Sequence, residues 1–218
     1  NPAVTYIPSV FDVVHDYGLS TASYVSKQKL SIFERSYNAT WGAPDLVGDD
    51  DGRDKVDTAV TVDGSSVPLI NALLTAEPRH FTFLHFTEPD GAGHGSGWGS
   101  AAWSNSVATV SGYLSAVLDL VETNDIYRGR TAIILTADHG GIGNDHSAAS
   151  NPAVYTIPFL VWGAGLPAGG DLYLSMANRF DPGTRRPTYN DTQQPIRNGD
   201  SGNLGLTLLG LPPIPNSV

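Results

Sequence analysis

Residues 131–146 read TAIILTADHGGIGNDH, an apolar run followed by a loop with two aspartates and two histidines. The run predicts a buried strand because it is short, rich in aliphatic residues and bounded by turn-forming residues. Such a strand would deliver Asp138, His139 and His146 to the carboxyl edge of a sheet, where ligands bind in open α/β folds. Carboxylates and imidazoles gathered there are common ligands of Zn²⁺ and similar cations. The stretch therefore predicts a metal site on an α/β fold.

A second predicted strand ends in a similar set of residues. The run HFTFLHF at 80–86 leads into EPDGAGH at 88–94, which places Asp90 four residues before His94. The glycines between them predict a turn that faces both side chains toward one ion. Either residue alone has an ordinary structural interpretation, but two strands that both end in Asp and His favour metal binding over coincidence. The candidate ligands are Asp90, His94, Asp138, His139 and His146.

The order of the predicted elements is typical of a single α/β domain over residues 1–218. Helices are predicted at 9–18, 29–35, 67–76, 103–122 and 200–209, and strands at 19–25, 80–86, 131–135 and 155–162. Alternation of helices and strands produces a sheet covered by helices. Residues 54–62 are short and ambiguous, and the acidic run at 49–52 lacks the spacing of a calcium loop, so we interpret it as a solvated turn.

The composition argues against several classes of function. The formal net charge is −10, which does not suit a nucleic-acid polymer or an anionic membrane as a partner. An anionic substrate would need a local positive centre, which a bound metal ion could supply. No apolar run approaches the ~20 residues that a membrane-spanning helix needs. The sequence has no cysteine, which excludes thiol chemistry and fits a secreted or periplasmic protein.

Taken together, the motifs resemble the alkaline phosphatase superfamily, specifically bacterial type I phosphodiesterase/nucleotide pyrophosphatase-like proteins. The resemblance is carried by EPDGAGH at 88–94, TADHGG at 136–141, DH at 145–146, YTIPFLVWG at 155–163 and RNGDSGNL at 197–204. It implies a three-layer sandwich with a central, mostly parallel sheet of the alkaline phosphatase type. It also implies hydrolysis of a small phosphodiester or phosphomonoester substrate with two divalent metal ions, commonly Zn²⁺.

The resemblance further implies how the ligands divide between the two ions. Asp90, His94 and His146 would hold one ion. Asp138 and His139 would hold the second, together with an upstream aspartate and the nucleophilic threonine or serine. The reaction would be in-line attack on phosphorus through a covalent intermediate on the enzyme. The residues alone do not distinguish zinc from Mn²⁺, Mg²⁺ or Ca²⁺.

The sequence departs from the family pattern at its start. Asn1 lies downstream of the positions expected for the first aspartate and the nucleophile, so no catalytic nucleophile is assigned. We therefore expect the C-terminal portion of a longer catalytic domain, incomplete at its N-terminus, with one complete metal triad and weak or no activity alone. The absent segment would also supply strands, so we expect an exposed sheet edge, covered by that segment or by another chain.

Two alternative functions stay open beside the phosphoester hydrolase. A sulfatase or a cofactor-independent phosphomutase of the same superfamily shares the Asp-His-Gly motif and the later histidine. A non-catalytic metal-binding domain is the interpretation that the missing nucleophile favours. The cysteine-free, loop-rich composition favours the hydrolase over the other enzymes.

Overall fold

The computed structural model describes residues 5–47 and 52–217, so the acidic run at 49–51 lies outside the described residues. The helices are α1 (Val10–Asp16), α2 (Ile32–Ser36), α3 (Val67–Thr75), α4 (Glu88–Ser96), α5 (Ala101–Thr123), α6 (Pro152–Tyr155), α7 (Leu172–Ser175) and α8 (Asp200–Leu208). The strands are β1 (Thr21–Val25), β2 (Thr58–Thr61), β3 (Phe81–His85), β4 (Ala132–Thr136) and β5 (Phe159–Gly163). A 3₁₀ turn, Gln28–Ser31, precedes α2.

A three-stranded parallel sheet with the order β2-β1-β3 forms the centre of the fold. The middle strand, β1, is buried along its whole length. It pairs with β3 from Thr21 opposite Phe81 to Val25 opposite His85, and with β2 on its other side. Parallel strands need helical crossovers, which cover the faces of the sheet. The predicted parallel sheet is confirmed.

Helices cover both faces of this sheet. On one face, Val14 of α1 and Leu206 of α8 are buried, with Phe81 packed against them. On the other face, Tyr24 of β1 packs in a buried cluster with Leu69 of α3. Side chains of a strand alternate between its two faces, so strand β3 contributes Phe81 to the first cluster and Leu84 to the second. The three-layer arrangement expected from the resemblance is therefore confirmed.

Strands β4 and β5 form a separate antiparallel pair, in which Ile134 lies opposite Val161. The prediction that residues 131–135 form a buried central strand is wrong in this respect, because every residue of β4 stays partly exposed. Within the described ranges β4 pairs with one strand only, which leaves its other edge open. The following strand begins at Phe159 and not at 155, because Pro152–Tyr155 form the short helix α6.

Helix α8 lies against both β3 and β4. A Cβ atom added at Gly205 would lie 3.4 Å from the ring of Phe81 and 4.0 Å from the side chain of Ile134. The two strands therefore lie beside each other under one helix, although they are not hydrogen-bonded to each other. Over residues 5–47 and 52–217, no helix combines the length and apolar character needed to cross a membrane.

Candidate metal centre

Asp90 and His94 lie on helix α4, and not in the glycine-rich turn that the sequence predicts. The helix starts two residues after β3, with Pro89 in its first turn and the acidic Glu88 and Asp90 at the end where the helix dipole favours them. It ends before Gly97, whose φ of 93° suits glycine. Residues four apart on a helix share a face. As a result, Nε2 of His94 lies 3.3 Å from Oδ1 of Asp90.

The loop after β4 brings two further histidines to the same oxygen. Nε2 of His139 lies 3.9 Å, and Nε2 of His146 lies 3.7 Å, from Oδ1 of Asp90. The two imidazole rings stack with their centroids 3.8 Å apart. Between them the chain reverses at a tight turn that contains Gly143, with φ of 56°. The ligand atoms of Asp90, His139 and His146 all lie within 4.8 Å of one another, close enough to share one ion.

Backbone carbonyls fix which nitrogen of two histidines faces Asp90. Nδ1 of His94 lies 3.0 Å from the carbonyl oxygen of Asn144, and Nδ1 of His139 lies 2.8 Å from that of Gly140. A carbonyl oxygen can only accept, so this hydrogen-bond network assigns the proton to Nδ1. Nε2 of each neutral ring then presents a lone pair. A hydrogen bond from the ring nitrogen that faces away from the metal is typical of histidines that bind metals.

The residues around Asp90 fit a divalent cation. Oδ1 of Asp90 is buried and has no hydrogen-bond donor among the described residues. Its neighbours are imidazole nitrogens, and for His94 and His139 these carry lone pairs in the neutral state. Buried polar atoms without partners are costly. A cation among these atoms would satisfy the carboxylate oxygen and the nitrogens together, and carboxylate with imidazole is a common donor set for Zn²⁺.

Lys27 forms an ion pair with the other carboxylate oxygen of Asp90. Its ammonium group donates to Oδ2 of Asp90. Burial raises the pKa of Asp90, but the hydrogen bond and charge of Lys27, with smaller contributions from His94 and His139, outweigh burial and lower the pKa below its usual value. Asp90 is therefore ionised at neutral pH, the state in which a carboxylate binds metals. The sequence interpretation missed Lys27, whose only signal is its position two residues after strand β1.

Asp138 joins the group through His139. Its Oδ2 lies 3.4 Å from Nε2 of His139, and its side chain is 65% exposed. Its Oδ1 accepts the N–H of His139, and its carbonyl oxygen accepts a hydrogen bond from the side chain of Asn198. The structure thus brings all five predicted ligands into one connected group. Their division between two ions stays a prediction.

Trp98 fastens helix α4 to the loop that carries the other histidines. The backbone N–H of Trp98 donates to the carbonyl of Gly143 over 2.7 Å. The indole ring of Trp98 lies 5.2 Å from the ring of His94, centroid to centroid. A Cβ atom at Gly93 would lie 2.6 Å from the indole, and one at Gly141 would lie 2.2 Å from it. The glycines that predict flexible turns therefore also make room for an aromatic ring, which sequence reasoning missed.

One comparison with known proteins identifies a family. Residues 7–155 match the family model described as type I phosphodiesterase / nucleotide pyrophosphatase. The matched range is more than half of the chain and includes every candidate ligand. No curated protein matches the chain significantly.

Proposed function

Because the chain belongs to the type I phosphodiesterase / nucleotide pyrophosphatase family, within the alkaline phosphatase superfamily, we propose that it provides the metal-binding residues of a phosphoester hydrolase. The proposal is carried by one observation. Oδ1 of Asp90 is buried without a hydrogen-bond donor in the described part of the chain and faces Nε2 of three histidines. We favour Zn²⁺ as the ion, because a carboxylate with imidazoles is a usual zinc donor set.

In this proposal the candidate ligands are divided between two metal ions. Asp90, His94 and His146 hold the first, and Asp138 and His139 contribute to the second. The contact between Asp138 and His139 supports the second pair. If only one ion binds, Asp90, His139 and His146 are the ligands that the geometry favours, since their ligand atoms already lie within 4.8 Å of one another.

A bound divalent ion supplies positive charge to phosphoryl oxygens and lowers the pKa of an attacking hydroxyl. The residues of this chain prepare the site for that ion. Lys27 keeps Asp90 ionised, and the carbonyls of Asn144 and Gly140 hold two imidazoles with Nε2 toward Asp90. Trp98 keeps the helix and the loop together. The chain overall is acidic, so an anionic substrate would be attracted by the ion and not by the surface around it.

We assign no nucleophile to the two hydroxyls that lie near the candidate ligands in sequence. Thr87 is buried at the start of helix α4, and the hydroxyl of Ser147 donates to the carboxylate of Asp145.

Hydrolysis of bis(4-nitrophenyl) phosphate tests the proposal. The zinc-loaded protein, expressed as its gene encodes it, should hydrolyse it, a chelator should abolish the activity, and Asp90→Asn should lower kcat/KM by roughly 100-fold or more. His80→Gln is the matched control, since His80 contacts Ser20 at the far end of β3.

The same assay separates the alternative functions. Preference for 4-nitrophenyl sulfate over the phosphate ester would overturn the hydrolase in favour of a sulfatase. Zinc binding without hydrolysis by the protein as its gene encodes it would identify a non-catalytic metal-binding domain. Hydrolysis that is unaffected by Asp90→Asn would show that the reaction does not use this site.

A further inference from the structure

His85 is the last residue of strand β3 and lies five positions before Asp90. It shares a face of the strand with Phe81 and Phe83, because side chains alternate along a strand. Phe81 packs into the apolar cluster of helices α1 and α8, whereas His85 is half-buried where the strand leaves the core. A polar side chain at the carboxyl edge of a sheet is in the place where α/β folds bind ligands. His85 is not one of the candidate metal ligands, so its role has to be inferred from its own contacts.

The hydrogen bonds of His85 determine which of its ring nitrogens carries the proton. The hydroxyl of Ser26 lies 2.9 Å from the carbonyl oxygen of His85 and 3.2 Å from Nδ1 of the same residue. A hydroxyl has one proton and a carbonyl oxygen can only accept, so Ser26 donates to the carbonyl and accepts from Nδ1. This hydrogen-bond network therefore assigns the proton to Nδ1. Nε2 of the neutral ring then presents a lone pair.

The lone pair on Nε2 of His85 is accessible to a molecule that enters from solvent. In the described part of the chain, Nε2 has no hydrogen-bond partner. It is also not one of the buried polar atoms that lack a partner, so it reaches solvent. The other side of the ring is fixed, because Ser26 is 0% exposed and directly follows the buried strand β1. A side chain that is held by a buried partner in this way is already oriented for chemistry.

The charged groups that act most strongly on His85 belong to the metal centre. They are the carboxylate of Asp138 and the ammonium of Lys27. Oδ2 of Asp138 lies 3.4 Å from Nε2 of His139, and Lys27 forms an ion pair with Asp90. One of these groups reaches His85 from the loop after β4, and the other follows strand β1. Nε2 of His85 therefore lies at the edge of the sheet at which the proposed function places a phosphoester.

The same charges, together with burial, set the protonation state of His85. Burial lowers the pKa of the imidazole, and the carboxylate of Asp138 is the largest influence that raises it. Lys27 and Lys29 lower the pKa further, whereas Glu88 raises it. The net shift is downward, so the ring is neutral at pH 7 and its lone pair is available to accept a proton.

We propose that Nε2 of His85 accepts the proton of the hydroxyl that attacks phosphorus. As the new P–O bond forms, the O–H bond of the attacking group breaks and its proton moves to Nε2. The bond from phosphorus to the leaving oxygen breaks, and this oxygen takes the proton from the imidazolium, which leaves the ring neutral again. A positioned base of this kind typically accelerates a reaction by roughly 10²–10⁴-fold. This inference rests on the proposed function and goes beyond it, because it adds a proton acceptor to the metal centre.

The kinetics of His85→Gln test this role. Glutamine has an amide that can donate to Ser26 but no nitrogen that titrates. In the zinc-loaded protein, expressed as its gene encodes it, the variant should lower kcat/KM for bis(4-nitrophenyl) phosphate by roughly 100-fold. His80→Gln, directly before the same strand, should retain the wild-type value, and both variants should bind zinc like the wild type. A loss of zinc affinity in His85→Gln that accounts for the lost activity would overturn the proposal.

The pH dependence separates proton transfer from a structural role. The base acts in its neutral form, so the wild type should lose activity as the pH falls through the pKa of His85, which lies below its usual value of about 6.5. His85→Gln lacks this titration. The ratio of wild-type to variant kcat/KM, measured at zinc saturation, should therefore fall by about 10-fold for each pH unit below that pKa. A ratio that stays constant between about pH 5 and pH 8 would overturn the proposal.

Magnetic resonance titration of the imidazole in the metal-free protein tests the position of His85 without activity. Asp138→Asn removes the carboxylate that raises the pKa of His85, so this pKa should fall, whereas Asp125→Asn, at an exposed aspartate, should leave it unchanged. The same pKa of His85 in Asp138→Asn and the wild type would overturn the proposal. A wild type without activity would refute the proposed function, and this role with it. An active wild type with an equally active His85→Gln would overturn the role of His85 alone.

Discussion

The indole of Trp98 contacts two glycines, Gly93 on helix α4 and Gly141 in the loop after β4. A methyl group at Gly93 would lie 2.6 Å from the ring, and the ring is rigid, so the helix or the loop has to move. Gly93→Ala should therefore destabilise the fold by about 1–3 kcal/mol. It should also weaken zinc binding by roughly 10-fold or more, because the movement separates Asp90 and His94 from the other ligands. Urea unfolding and zinc titration against a competing chelator measure the two effects.

Gly91→Ala is the matched control for this prediction. Gly91 lies on the same helix, and a Cβ atom there would meet nothing within 4 Å. Alanine at an unobstructed helical position should stabilise the chain by up to about 1 kcal/mol. Zinc affinity in Gly93→Ala equal to that in Gly91→Ala would show that the indole contact does not hold the site together.

Lys55 is a buried cation that the sequence does not reveal. Its side chain is 0% exposed and its ammonium donates to Asp45 and, over 3.0 Å, to Asp16 at the end of helix α1. Lys55→Ala would remove the buried cation that Asp16 and Asp45 share, and breaking such a buried pair costs about 3–5 kcal/mol. Urea unfolding should show this loss, whereas the exposed Lys29→Ala should change stability by less than about 0.5 kcal/mol. Similar losses in both variants would contradict the account of Lys55.

The pH dependence of stability offers a separate test of Lys55. Burial lowers the pKa of this ammonium, but the hydrogen bonds to Asp45 and Asp16 outweigh burial and raise it. Because the pKa in the folded state lies above the unfolded value of about 10.4, the contribution to stability is complete below that pH. It is lost as the pH rises through the folded pKa. The difference in unfolding free energy between the wild type and Lys55→Met should therefore narrow above about pH 10.5. A constant difference up to about pH 12 would contradict this.

At the scale of elements, local signals predict some segments well. The helix predicted at 103–122 is observed as Ala101–Thr123, and the helix predicted at 200–209 as Asp200–Leu208. Apolar periodicity and end signals are properties of the segment itself. Helix α4 was missed because its three glycines each lower helix propensity by about 1 kcal/mol. The contact of Gly93 with Trp98, which fastens the helix to a distant loop, is not visible in the local sequence.

Strand pairing was predicted less well because it depends on distant partners. The antiparallel pairing of β4 with β5 and the short strand β2 have no distinct local signal. For the same reason, the sequence could suggest which residues bind a metal but not that one oxygen of Asp90 would be their common neighbour. Lys27 and Trp98 were missed as supports of the site because each acts on a residue far away in sequence.

The backbone amides of strand β4 should be less protected from hydrogen exchange than those of strand β1. Strand β1 is buried and paired on both sides, whereas β4 pairs only with β5 in the described part of the chain and stays partly exposed. Amide hydrogen exchange should therefore be at least roughly 10-fold faster in β4 than in β1. Equal protection of the two strands would contradict the open edge. The expectation that a further segment or another chain covers this edge stays a prediction.

At the scale of the whole molecule, an acidic chain brings Asp90 and three histidines together at one end of the sheet. The carboxyl ends of β3 and β4 lead to Asp90, His94, His139 and His146. The three-layer fold thus supplies a rigid support, and the chemistry lies in the segments that follow its strands. A metal ion is the component that would turn this arrangement into a site for a phosphoester.

Calorimetric titration of Zn²⁺ into the metal-free chain tests that claim most directly. The wild type should bind zinc, and Asp90→Asn should bind at least roughly 100-fold more weakly because the oxygen shared by the histidines loses its charge. Asp125→Asn, at an exposed aspartate that forms an ion pair with Arg128, should bind like the wild type. Zinc affinity that is the same in Asp90→Asn as in the wild type would contradict the metal centre proposed for this protein.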